Sequence, residues 1–219
     1  MGSRGSASKI ATRAAKYLTQ KGRPAASKQV DIQKIKDKTL QGIEDRERHL
    51  KHEEAFLFDS NDKLMDGRSG GRSSVGIPNL WDQVPGATVT HGHPVGNHDF
   101  GGTLSMADAD RMAQTEWSEM RAAAAGQGEY NYIMRRTAKA DNEGLRRQIG
   151  RDADRMEKSI KTEFQKAFKN AIARGQTRES ALHEAAQKAT GLMDAYWKQV
   201  LPQYGFEHVT RKRGYRYGR

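Results

Sequence analysis

The chain contains no cysteine. That excludes disulfides and every thiolate zinc site, so a metal held by this protein must sit on histidine and carboxylate. Long apolar runs are also missing. Nothing approaches the roughly 18 consecutive apolar residues of a spanning helix, so no membrane partner is expected. The opening residues, MGSRGSASKIATRAAKYL, lack the apolar centre of a secretory signal. They are rich in Arg and Ser and free of acids, as transit peptides are, and MGSRGS fits the myristoylation pattern only weakly. No internal repeat is visible. Hydrophobic residues make up 35% of the 219, and the mean hydropathy is −0.91. A single core cannot fill that length, which predicts a compact centre with polar helical arms.

Charge is plentiful and mostly of one sign. The formal net charge is +11. Residues 1–52 hold thirteen Lys/Arg against five Asp/Glu, and the ending TRKRGYRYGR adds five basic residues and two tyrosines. Basic ends interleaved with aromatics suit a phosphate backbone, so nucleic acid is a candidate partner through the termini. Solvated arms are the plainer reading.

Periodicity divides the rest. Ile10, Ala14, Tyr17 and Leu18 suggest a short helix, and Val30 to Leu50 reads as a charged lead-in helix outside the core. EEAFLFD from Glu53 to Asp59 reads as a strand entering the turn SNDKLMDG, and GATVT as a second strand. Helical spacing follows through Met106, Ala109, Met112, Ala113 and Met120, with Trp117 alongside; EYNYIMRR alternates as a final strand. Trp81 is expected in the core. From Asp141 an apolar stripe steps through Ile149, Ala153, Met156, Ile160, Phe164, Phe168 and Ala171. Gly175 ends that helix, Thr177 caps the next, and Leu182, Ala186, Ala189, Met193, Trp197 and Val200 repeat the stripe up to Pro202. These two helices predict an antiparallel hairpin. The resulting division is a basic arm and lead-in helix over 1–45, a central domain over 46–136, a helical extension over 137–200 and a basic tail over 201–219.

One stretch carries chemistry. His91 and His93 lie two apart at the end of a strand, so both imidazoles share a face. Two ligands do not make a zinc site. Downstream, SMAD places Ser105 at a helix N-cap and Asp108 three residues on. That spacing is also a capping signature, but beside H-x-H-P it supplies a third metal-capable group. Two imidazoles and one carboxylate leave zinc's fourth position for water, the plan of a catalytic site, and such a metal lowers its water's pKa to about 7. Glu53 on the earlier strand is the candidate general acid/base, and the Ser105 hydroxyl could donate to a developing oxyanion. A carboxylate could fix each histidine tautomer, though the sequence does not say which one.

Glu53, HGHP at 91–94 and SMAD at 105–108 together resemble the pattern of the JAMM (JAB/MPN) zinc metallopeptidases. The layout over about 50–136 is similar to a bacterial and phage JAB branch associated with phage head-morphogenesis and toxin-like proteins. It continues loosely to YGFEHV. The resemblance implies an α+β fold, with a curved JAB/MPN-like β-sheet flanked by helices. It implies His91, His93 and Asp108 as ligands of Zn2+, Glu53 as general acid/base and Ser105 as oxyanion partner. Two departures stand out. The ten residues between Pro94 and Ser105 are rich in glycine and hold His98 and Asp99, which are spare ligands, substrate contacts or loop residues. Glu54 adjoins Glu53, and alternation allows only one of them to reach the metal. Glu53 is preferred because Asp59 then takes the strand-end position of the phage branch.

The expected function is therefore a zinc-dependent peptidase or isopeptidase, phage-derived, acting on a protein or peptide in the cytoplasm of a bacterial host or in the virion. The alternative is a phage structural or virion-associated protein, an inactive JAB scaffold whose basic arms bind nucleic acid. A third reading is a toxin-like effector whose target is a host protein.

Overall fold

The computed structural model describes residues 26–72, 74–94, 102–124 and 130–212, with Lys9 and Thr12. The expected first helix, His98, Asp99 and the end of the basic tail lie outside the described residues. The fold is α+β: a seven-stranded mixed sheet with four described helices beside three short 3-10 turns. The strands are β1 (Lys28–Gln29), β2 (Glu54–Phe58), β3 (Leu64–Ser69), β4 (Thr88–His93), β5 (Glu119–Ala124), β6 (Tyr130–Arg136) and β7 (Phe206–Lys212). The helices are α1 (Leu40–Arg48), α2 (Met106–Ala113), α3 (Asn142–Ala173) and α4 (Arg178–Val200).

The spatial order is β1-β3-β2-β4-β5-β6-β7, antiparallel except for the parallel pair β4–β5. Parallel neighbours need a crossover rather than a tight turn. That crossover carries α2, and so brings Ser105 and Asp108 back toward the strand that bears the histidines.

Alternation sorts the sheet into two faces. Ala55, Leu57, Val89, Met120, Ala122, Tyr132 and Met134 join one large core with α2, α3 and α4. The two apolar stripes of α3 and α4 meet there, with Ile160, Phe164, Ala171, Met193 and Trp197 fully buried. Gly175 turns the chain between them at φ 79°, a left-handed conformation that glycine adopts without strain. The expected hairpin is present, and Trp81 is core. The other face is smaller. Phe56, Phe58 and Leu64 pack there against Ile43 of α1.

Several expectations need correction. The lead-in helix expected within 30–50 is present as α1, but it is not outside the core: it buries Ile43, Glu44, Glu47 and Arg48, and residue 45 lies within it. The helix expected through Met120 ends at Ala113, and 119–124 is a strand. Alanine favours helix in isolation, but β5 is fixed by a neighbour on each side, which overrides propensity. LMDGRS forms β3 despite its polarity, because Asp59 accepts from the backbone N–H of Asn61 (2.8 Å) and Lys63 (3.0 Å), and so shapes the hairpin turn. The tail expected from 201 instead begins with a 3-10 turn and strand β7, which pairs with β6 over its whole length. Its charges lie on a sheet edge, where lysine and arginine are commonly placed.

Candidate metal centre

The Nε2 atoms of His91 and His93 are 2.9 Å apart. Both rings project from the last residues of β4 toward the large core and are nearly inaccessible, at 4% and 2%. Asp108, in the first turn of α2, directs Oδ1 to within 3.3 Å of His91 Nε2 and Oδ2 to within 3.9 Å of His93 Nε2. The three residues could hold a metal ion: one donor atom from each lies within 4.8 Å of the others. Three donors about 2.0–2.1 Å from a tetrahedral zinc are about 3.3 Å apart. The observed separations bracket that value.

Local structure sets each group. Ser105 is the N-cap of α2, and the capping box is complete. The Ser105 backbone N–H donates to Asp108 Oδ2 at 2.7 Å, and its hydroxyl donates to the same oxygen at 2.8 Å. One carboxylate oxygen is thus held by the cap, and the other is left to face His91. Capping and metal binding, alternatives in the sequence, are compatible in the fold because they use different oxygens. The carbonyl of Leu104 accepts from Trp197 Nε1 of α4 at 2.7 Å, so the helical hairpin clamps the residue just before the cap.

His93 Nδ1 lies 2.7 Å from the Gly102 carbonyl. A carbonyl only accepts, so Nδ1 carries the hydrogen and Nε2 presents a lone pair toward Asp108 and His91. The tautomer is fixed by backbone, not by the carboxylate the sequence suggested. No sequence signal marks Gly102 for that task. His91 Nδ1, though buried, has no hydrogen-bond partner among the described residues.

Burial and charge oppose one another at this site. Burial pushes His91 toward neutrality, but the Asp108 carboxylate, with Glu53 and Glu47 behind it, outweighs burial and lifts the imidazole to about 9. Burial and the neighbouring His91 charge lower His93 to about 4. Burial would raise Asp108, yet the charge and hydrogen bond of His91, together with His93 and the cap, hold it well below the usual carboxylate range. Two facing imidazoles, one with its tautomer fixed for coordination, and a converging carboxylate are a donor set that could hold a metal ion.

The glutamate pair separates by alternation. Glu54 turns to the α1 face, where it accepts from Arg46 Nε at 2.8 Å and lies 3.4 Å from His52 Nε2. Glu53 is buried and has the other orientation: Ala55 pairs with His91, so two residues earlier Glu53 stands across from His93 on the histidine face. The sequence did not single out Glu47. It is fully buried under Gly92, accepts from Thr90 Oγ1 at 2.8 Å, and is pushed upward by burial. A side chain at Gly92 would come within 3.1 Å of Glu47 Cβ, so the glycine between the histidines lets α1 pack closely.

No protein-family model, no curated protein and no solved structure matches this chain. Among the described residues, no helix is long and apolar enough to cross a membrane.

Proposed function

We propose that the protein is a zinc-dependent peptidase or isopeptidase of the JAMM type. The observation that carries this reading is the convergence of His91, His93 and Asp108, with the His93 tautomer set for coordination. Glu53 on the same face and Ser105 at the cap complete the pattern noted in the sequence.

The proposed reaction adds water to a peptide or isopeptide carbonyl and releases the amine. When bound, zinc supplies the Lewis acidity that makes the water nucleophilic at neutral pH. Glu53 accepts the water's proton and returns it to the leaving nitrogen. His91, His93 and Asp108 would hold the ion. The Ser105 hydroxyl, now on Asp108 Oδ2, can rotate toward a developing oxyanion while its backbone N–H keeps that oxygen in place. Trp197 and the large core fix the segment that carries these donors.

Elemental analysis of protein purified without a metal-affinity column tests the reading. The expected result is about one zinc per chain in the wild type and none in His91→Ala/His93→Ala, with peptide hydrolysis lost in parallel. A wild type that stays metal-free after zinc is added back overturns it and favours a scaffold.

A further inference from the structure

The solvent side of α3 carries charge of one sign. Arg147, Arg151, Arg155, Lys158, Lys166 and Lys169 are all exposed, with exposed Thr162 among them. In chain order, with Thr162 counted, they step by four, four, three, four, four and three residues. At 3.6 residues per turn these positions share a sector of about 100° on the helix. The sector lies opposite the buried stripe of Ile149, Met156, Ile160 and Phe164. No acid falls within it; Asp154, Glu157 and Glu163 stand on its flanks.

A solvated helix face ordinarily mixes signs, because opposite charges four apart attract and like charges repel. Helix α4 does so: Arg178, Lys188 and Lys198 are matched by Glu179, Glu184 and Asp194, and Lys198 pairs with Asp194 at 2.6 Å. On α3, Arg151 has a like charge four residues away on each side. Arg147 has Glu143 at 2.5 Å and Arg155 has Asp152 at 2.8 Å, while Arg151 donates to the amide oxygen of Gln148. Lys158, Lys166 and Lys169 have no ion-pair partner among the described residues. The stripe opposes its own helix, and its lysines are not neutralised by those residues.

Its dimensions and composition narrow the partner. From Arg147 to Lys169 the stripe runs about 33 Å at 1.5 Å per residue, close to one turn of a double helix. A duplex carries one negative charge about every 1.7 Å along its axis. The positive charge is spread along a line and not gathered in a pocket, so it suits a polyanionic rod better than a small phosphate compound. No aromatic side chain lies in the sector, so the bases of a single strand have nothing to stack on. No apolar one lies there either. A helix lying in a membrane surface gives its apolar face to lipid, and that of α3 faces the core.

We propose that this face of α3 binds the phosphate backbone of a double-stranded nucleic acid, without reading its base sequence. The site belongs to the folded domain and is separate from the basic termini.

The test measures fluorescence anisotropy of the full chain with a DNA duplex of about 30 base pairs, and with an RNA duplex of equal length, over a series of salt concentrations. Lys158→Gln/Lys166→Gln/Lys169→Gln removes three exposed charges, so its urea midpoint should equal or exceed that of the wild type. Its duplex affinity should fall about tenfold or more, and the slope of log affinity against log salt should shrink by about 0.9 per lysine. The control is Lys34→Gln/Lys36→Gln/Lys38→Gln. These lysines are exposed beside Ile32 and Ile35, which pack on the smaller core across the sheet from α3. The control removes the same charge and should change affinity less than about twofold. Equal losses in the two variants reduce the effect to net charge and overturn the site. Unchanged binding in the α3 variant assigns the affinity to the termini and overturns it as well. So does binding to phosphatidylserine vesicles with neither duplex bound. None of these readouts involves zinc or hydrolysis, so the peptidase reading stands or falls separately.

Discussion

The two faces of the sheet both bury charge, but they settle it differently. On the α1 face, among the described residues, arginines pair with buried glutamates, although Glu47 has only the Thr90 hydroxyl. Arg121 contacts Glu44 at 3.1 Å and also pairs with Glu119, which accepts from Arg135 at 2.6 Å. Asn131 donates to Glu44 at 2.6 Å and accepts from Arg48. On the hairpin face, His91, His93 and Asp108 converge, with Glu53 on the same face. A buried network closed by side chains is structural, since its ions satisfy one another. A buried cluster whose donor atoms converge could instead hold a metal ion. Burial of charge alone does not separate the two; the kind of groups that converge does.

Substitutions can break this contrast. The largest effect is expected from Glu53→Gln, with zinc content unchanged and hydrolysis reduced by about 10²–10⁴-fold, measured as turnover beside elemental analysis. Full turnover in this variant would remove Glu53 from the proton-transfer role. Arg121→Met should have the reverse character. It removes the buried guanidinium that Glu44 and Glu119 share, leaving Asn131 and Arg135 as their partners, and should cost about 3–5 kcal/mol in urea unfolding, with zinc per folded chain unaltered. If it empties the metal site instead, the two faces are not independent.

Ser105→Ala should act on both properties weakly. Loss of the cap should cost about 1 kcal/mol, and loss of the hydroxyl on Asp108 Oδ2 should weaken zinc affinity by about 10–100-fold in a chelator competition. An affinity equal to wild type would leave Ser105 as a cap alone. The smallest effect is expected from Asp194→Asn. Asp194 of α4 accepts from His208 Nε2 and Lys198 Nζ, each at 2.6 Å. Burial opposes the shift, but His208 and Lys198 hold its carboxyl below its ordinary value of 3.8. A carboxylate depressed on folding stabilises above its unfolded pKa, and that contribution disappears as pH falls through the folded value. The variant should be less stable than wild type at pH 7 by on the order of 1 kcal/mol, and the gap should close below about pH 4. A gap independent of pH would show that the pair contributes through packing.

The sequence was most legible where periodicity is local. The stripes of α3 and α4, the shared face of His91 and His93, and the N-cap at Ser105 follow from spacing alone. Alternation also separated Glu53 from Glu54, although it could not say which of them faced the histidines; the β2–β4 register decided that. Strands β5 and β7 were missed because EMRAAA and FEHVTRK owe their conformation to neighbours distant in the chain. Gly102 gave no signal for the same reason: a carbonyl aimed at an imidazole is a property of placement, which residue type does not encode.

The antiparallel pairing of β6 with β7 has a consequence in time. The whole helical hairpin, residues 137–205, lies between two adjacent strands. At a synthesis rate of about 5–20 residues per second, β6 leaves the ribosome on the order of several seconds before its partner exists. During that interval its edge is open to neighbouring chains. Only the arrival of Phe206–Lys212 seals it, so a nascent chain truncated before Phe206 is the form of this protein most prone to aggregate.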